Sequence, residues 1–191
     1  MSIAKIIKKL PQTYASDVKV NLINIFESGP VEGLSVEQVY GIALTAGYAL
    51  GNEQMLNAIR ADAKLHIEEA HADACKMAVV LMAMNNMYYR FTKDLLEDSE
   101  IKSMESNLSM ELLSKHNIND EDFEVFCLAA SIIGGCKWCI AVHSKKLTKR
   151  GMSKIGLRNI ARIVSVINAA VSALELEGMR SYDFASRGPN L

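Results

Sequence analysis

Three prolines in 191 residues, at positions 11, 30 and 189, leave the long interval between Pro30 and Pro189 without the residue that ends helices most surely. Charge of one sign is lacking too, with 21 basic against 22 acidic residues and a net charge of -1. That balance argues against nucleic acid or an acidic membrane surface as the main partner. Long apolar runs are also missing. The stretches 79–84 and 125–142 are bounded or interrupted by Asn85, Asn86, Gly134, Gly135 and Lys137, whereas a spanning helix needs about 20 mostly uninterrupted apolar residues. The opening MSIAKIIKKL interleaves lysines with apolar residues and has no signal-like apolar core. The expectation is a soluble cytoplasmic protein. No glycine-rich phosphate loop follows a strand pattern and no Cys-x-x-Cys-His occurs, so neither flavin nor haem has a recognisable site.

What remains is half hydrophobic and 23% charged, a globular composition of a length that suits one sizeable core. Ten methionines and many alanines favour helix packing over sheet. The expected fold is all-α in a single domain over residues 1–191. Ser35 with Gln38 forms a capping box ahead of Val39, Ile42, Ala43 and Ala46 at helical spacing. Gly51 and Asn52 break that helix, one or two more fill 53–74, and a further apolar helix runs over 76–91. The polar stretch 97–109 reads as a long connection, followed by a short helix over 110–115 and a loop over 116–119. Asn119 or Asp120 then caps a helix over 121–133, Gly134 and Gly135 end it, and another runs from the cysteine pair to about Arg150. A last helix spans 153–176, with Ile155, Ile160, Ile163, Val164, Ile167 and Val171 as its apolar stripe, and the tail SYDFASRGPNL reads as frayed. The segments VYGIALTAGYALGNEQ and VFCLAASIIGGCKWCI overlay at a separation of roughly 85 residues, the scale of an internal repeat. This suggests a degenerate half over about 35–95 and a cysteine-bearing half over about 120–177.

The chain's reactive groups concentrate in GGCKWCIAVH. Cys136 and Cys139 are three apart, Cys139 and His143 four apart, so all three share one helical face. Cys136 falls in the first helical turn, where free amides and the dipole favour a thiolate. A thiol with a neighbouring base and a second thiol in reach describes a dithiol redox centre. Glu124, on the preceding helix, would orient the imidazole if the glycine turn folded it back onto His143. The main rival is a structural metal site, although a closed zinc site wants four ligands and Cys136, Cys139 and His143 supply three. His66, His71 and Cys75 form a second, weaker metal candidate. Cys75 and Cys127 are most simply buried small hydrophobes, and Trp138 a core or interface residue.

Glu124, then Cys136, Cys139 and His143, resembles the site of the AhpD (alkylhydroperoxidase D) family in the carboxymuconolactone decarboxylase-like superfamily. The opening MSIAKIIKKLP, the phrase MNNMYYR from residue 84 and the alanine-rich last helix are similar to that family as well. The resemblance implies an all-α fold of two related halves, assembled as a homo-oligomer, often a trimer. It implies reduction of alkyl hydroperoxides by the dithiol, coupled to an AhpC-type peroxiredoxin, with electrons from the lipoyl group of a lipoyl-bearing acyltransferase and no bound cofactor. By motif position Cys139 resembles the peroxide-attacking cysteine, Cys136 the resolving cysteine and proton donor, and His143 and Glu124 the proton relay. The placement of His143 one turn from Cys139 favours the same order of attack. One position departs, since Trp138 stands where the family pattern has a histidine before the second cysteine. Lactone decarboxylation, the other chemistry of the superfamily, has no need of a vicinal dithiol.

Overall fold

The computed structural model describes residues 1–183, and these contain helices and no strand. The two first helices, α1 (Ile3–Lys9) and α2 (Gln12–Phe26), carried no expectation from the sequence. Seven residues are too few for α1 to persist alone. Tertiary contact holds it: Ile3, Ile6 and Ile7 are buried, and the Ile3 amide donates to Asp62 Oδ2 at 2.8 Å.

Helix α3 (Val36–Leu50) begins at the Ser35–Gln38 capping box and ends at Gly51, whose φ of 72° is left-handed. Asn52 then caps α4 (Glu53–Ala63), accepting from the Met55 amide at 3.0 Å. The next helix differs from expectation. Helix α5 (Glu69–Tyr89) is continuous, where the sequence suggested a junction near residues 74–76. Ala74, Cys75 and Ala78 are fully buried inside it, and with no glycine or proline there nothing interrupts the ladder. Its end widens into a π-helical turn, Arg90–Leu95, in which Thr92 Oγ1 donates to the Tyr88 carbonyl at 3.0 Å.

The polar connection holds a short helix, α6 (Ser99–Ser103), and the predicted helix over 110–115 is a 3-10 turn, Glu111–Ser114. Asn119 caps α7 (Asp120–Gly134), accepting from the Asp122 amide at 2.8 Å. Helix α8 (Lys137–Lys149) follows one left-handed glycine, and α9 (Lys154–Asp183) outlasts its expected end at residue 176. The rest of the tail lies outside the described residues. By length and composition alone α9 could cross a membrane, but 56% of its apolar window is buried, against α2, α3 and α7.

Helices α3, α5, α7 and α9 share the core. Phe126 on α7 is fully buried against Gly41 on α3, where any β-carbon would collide with the ring. Burying such a ring contributes about 1.5–3 kcal/mol. The packing that follows sets the C-terminal end of α7 against α5, and the reactive segment sits at that junction.

Candidate functional site

A helix C-terminus makes the site. At the end of α7 the Gly135 amide donates to the Ile132 carbonyl at 3.2 Å and the Cys136 amide to the Ser131 carbonyl at 3.4 Å. This is a Schellman closure, and it needs the left-handed conformation that Gly135 adopts at φ 63°. The chain reverses in one residue, so Cys136 is not in the first turn of α8 as the spacing suggested. It is the N-cap, with its Sγ accepting from the Cys139 amide at 3.1 Å. Cys136 and Cys139 are disulfide-bonded, with Cα atoms 5.3 Å apart. Cys136 has no exposed surface, whereas Cys139 lines a pocket of about 160 Å³.

Reversal at Gly135 also lays α8 back along α7, and this brings Glu124 to His143. His143 Nδ1 lies 2.6 Å from Glu124 Oε2, and Lys146 Nζ lies 2.6 Å from Glu124 Oε1. Glu124 is largely withdrawn from solvent, its side chain being 13% exposed. Burial by itself would raise its carboxyl pKa, but the hydrogen bonds and positive charges of His143 and Lys146 outweigh it, and the net shift is downward. A carboxylate only accepts hydrogen bonds, so the proton of a neutral His143 sits on Nδ1 and Nε2 keeps the basic lone pair. His143 lines the same pocket as Cys139.

The pocket takes its other walls from distant segments. Met82, Asn85 and Tyr89 come from α5, Met110 and Leu113 from around the 3-10 turn, and Trp138 and Val142 from α8. Sequence reasoning had not singled out Asn85, Tyr89 or Lys146 as site residues. Lys146 had a signal, standing three residues after His143 on the face that carries Cys139. Trp138 is 46% exposed rather than core, with its amide donating to Asp94 Oδ1 at 3.0 Å and Lys93 Nζ 5.5 Å from its ring centre.

The second metal candidate does not assemble. His66 stacks on Tyr40 at 4.2 Å, His71 faces Asp122 at 3.3 Å, and the Cys75 thiol donates to the Gly41 carbonyl. Among the described residues no group of three or more histidine, cysteine or acidic side chains could hold a metal ion. Cys75 and Cys127 are fully buried, and burial pushes both thiols up, Cys75 to about 12. Neither ionises readily, as expected of buried small hydrophobes.

Comparison with known proteins gives the family. Residues 103–176 match the carboxymuconolactone decarboxylase family. The chain is 40% identical to the alkyl hydroperoxide reductase AhpD of Coxiella burnetii over 164 residues, 85% of this chain and 92% of that protein. It is 35% identical to AhpD of Rhodospirillum centenum, covering 95% of each, and 34% identical to AhpD of Azorhizobium caulinodans, covering 93% of this chain and 96% of that one. Likeness at that level over nearly the whole length, with a Cys-x-x-Cys pair at disulfide distance, makes this chain a member of the AhpD family.

Proposed function

We propose that the protein is a dithiol peroxidase that reduces alkyl hydroperoxides. The observation that carries this reading is a single pocket reaching both Cys139 and His143, whose ring Glu124 holds at 2.6 Å. In the reduced protein His143 Nε2 takes the Cys139 proton. The thiolate attacks the terminal peroxide oxygen, the O–O bond breaks, and the leaving alkoxide takes the proton back from His143. Cys139 is then a sulfenic acid. The Cys136 thiol condenses with it, water leaves, and the pair reaches the disulfide state. Two facts bear on the order of attack and oppose each other. The Cys139 amide on Cys136 Sγ favours a thiolate at Cys136, whereas only Cys139 opens to the pocket. Access decides, since a buried sulfur cannot meet the substrate.

A dihydrolipoyl group on a lipoyl-bearing acyltransferase restores both thiols by exchange, and an AhpC-type peroxiredoxin draws on the same dithiol. The setting is the reducing cytoplasm. The assembly is a homo-oligomer, with a trimer as first choice. Val80, Met87 and Phe91, each more than half exposed along α5 and its π turn, supply apolar surface for it. The fold descends from two related halves: α3 and α7 are both 15 residues long, both end at a left-handed glycine, and both are followed by a capped helix.

The test is consumption of cumene hydroperoxide by reduced protein. With dihydrolipoamide the reaction turns over. Without it, consumption stops at one peroxide per chain and a Cys136–Cys139 peptide appears two hydrogens lighter. No consumption under either condition contradicts the proposal.

A further inference from the structure

The phrase MNNMYYR, residues 84–90, divides its side chains between two tasks. Asn86 Nδ2 donates to the Ala130 carbonyl at 3.2 Å and Arg90 Nη1 to the Gly134 carbonyl at 3.0 Å. Both fasten α5 to the end of α7, just ahead of the left-handed turn. Asn85 faces elsewhere. Its residue lines the Cys139 pocket beside Tyr89 and His143, and its main-chain oxygen lies 3.9 Å from Cys139 Sγ.

Asn85 is 5% exposed, yet its Oδ1 has no hydrogen-bond partner. Buried polar atoms are nearly always paired, because an unpaired one has lost water and gained nothing. Several others occur among the described residues, on Thr45, Asn86 and Ser131 for example, but Asn85 is the one whose residue lines this pocket. An unpaired polar atom on a residue that lines a largely apolar pocket is a candidate for a ligand's hydrogen bond once the side chain turns toward it.

We propose that Asn85 orients the hydroperoxide for attack by Cys139, an inference that rests on the dithiol-peroxidase reading. A hydroperoxide presents one O–H on the terminal oxygen and a second oxygen that becomes the leaving alkoxide. Attack forms the S–O bond at the terminal oxygen and breaks O–O, oxidising Cys139 to the sulfenic acid and reducing the peroxide to an alcohol. The carboxamide matches both ends. Oδ1 accepts the terminal O–H and so fixes which oxygen faces the sulfur, while the amide N–H group donates to the oxygen on which negative charge develops. His143 supplies that oxygen's proton. Asn85 moves no proton; it sets the line of approach.

Asn85→Leu tests this, since leucine keeps a side chain of the same branched shape, suits a helix and removes both hydrogen-bonding ends. Three quantities are compared with the unsubstituted protein. These are the single-turnover rate of reduced protein with cumene hydroperoxide, alkylation of Cys139 by iodoacetamide, and reduction of the disulfide by dihydrolipoamide. The peroxide rate should fall about 10²-fold, the size of effect seen on removing one preorganised donor. Alkylation and disulfide reduction should be unchanged, and Tm should be equal or higher because an unpaired polar group has gone. An unchanged peroxide rate overturns the assignment. So does a parallel loss of all three rates, which marks a structural role. If Asn85→Leu does not fold, Asn85→Ala must show the same split between peroxide and alkylation, and failure to do so is equally fatal. Should the unsubstituted protein ignore peroxide, the dithiol-peroxidase reading falls first and this inference with it.

Discussion

The corner between α3 and α4 and the corner between α7 and α8 are built alike and do different things. Each starts from a capped 15-residue helix and turns at a left-handed glycine, Gly51 at φ 72° and Gly135 at φ 63°. Each continues through an N-cap whose side chain accepts the amide three residues on: Asn52 from Met55 at 3.0 Å, Cys136 from Cys139 at 3.1 Å. The equivalent face then carries Met55 and Ile59 in one corner, fully buried, and Cys139 and His143 in the other. Where α7 has Glu124 bonded to His143, α3 has Tyr40 stacked on His66. The corner is thus a generic way to place two side chains side by side at a helix start. Chemistry comes from the side chains placed there and from the pocket that reaches one of them.

The largest effect that would sharpen this contrast lies in the relay. His143→Gln should cut the peroxide rate by about 10²–10⁴-fold, the usual contribution of a positioned proton acceptor, and Glu124→Gln by less, because the imidazole remains. Stopped-flow oxidation of the reduced protein checks both, with circular dichroism to verify the fold. A rate unmoved by His143→Gln would make the two corners chemically closer than supposed. Next come the glycines. Gly51→Ala and Gly135→Ala should each cost about 1–2 kcal/mol of stability, because both force a β-carbon into left-handed backbone. Only Gly135→Ala should also slow peroxide reduction, since it displaces Cys136 and His143. Equal kinetics in the two variants would break the comparison.

A smaller effect is expected at acid pH. The folded-state pKa of Glu124 is depressed, so the carboxylate contributes stability that is present above its unfolded value of about 4.3 and is lost as pH falls through the folded one. Glu124→Gln should lessen the decline of denaturant stability below about pH 4 relative to the unsubstituted protein, with no counterpart for any change at Tyr40. The smallest effect on activity is expected from grafting the pair alone. Asn52→Cys with Met55→Cys, in a chain also carrying Cys136→Ser and Cys139→Ser, should form an oxidised pair with a mild disulfide oxidant yet consume no cumene hydroperoxide, because Ile59 is no base. Peroxidase turnover from that graft would show that the corner geometry suffices.

How much of this could be read in advance follows from which signals are local. The ends of α3 and α7 were legible because Ser35, Gln38, Asn119 and the glycines mark them within a few residues. The start of α5 was not, because Glu68 makes no side-chain cap and the buried Ala74–Cys75 step resembles a pause in the amphipathic pattern. α1 owes its existence to partners such as Asp62, 59 residues away, which no local pattern announces. At the site, the shared face of Cys139 and His143 follows from spacing alone. The pairing of Glu124 with His143 depends on how sharply Gly135 turns the chain, and the same reversal moved Cys136 from first turn to cap. Asn85 and Tyr89 reach the pocket only through the packing of α5 on α7, so their roles were hidden in the MNNMYYR phrase.

The central claim is that the pocket, rather than the helix N-terminus, selects the attacking sulfur, and sulfenic acid trapping tests it most directly. Reduced Cys136→Ser and Cys139→Ser proteins are each given one equivalent of cumene hydroperoxide in the presence of dimedone, and the adducts are located by peptide mass spectrometry. A dimedone adduct is expected on Cys139 in the Cys136→Ser protein and none in the Cys139→Ser protein. An adduct on Cys136 in the Cys139→Ser protein, with Cys136→Ser unlabelled, would contradict it and reverse the order of attack.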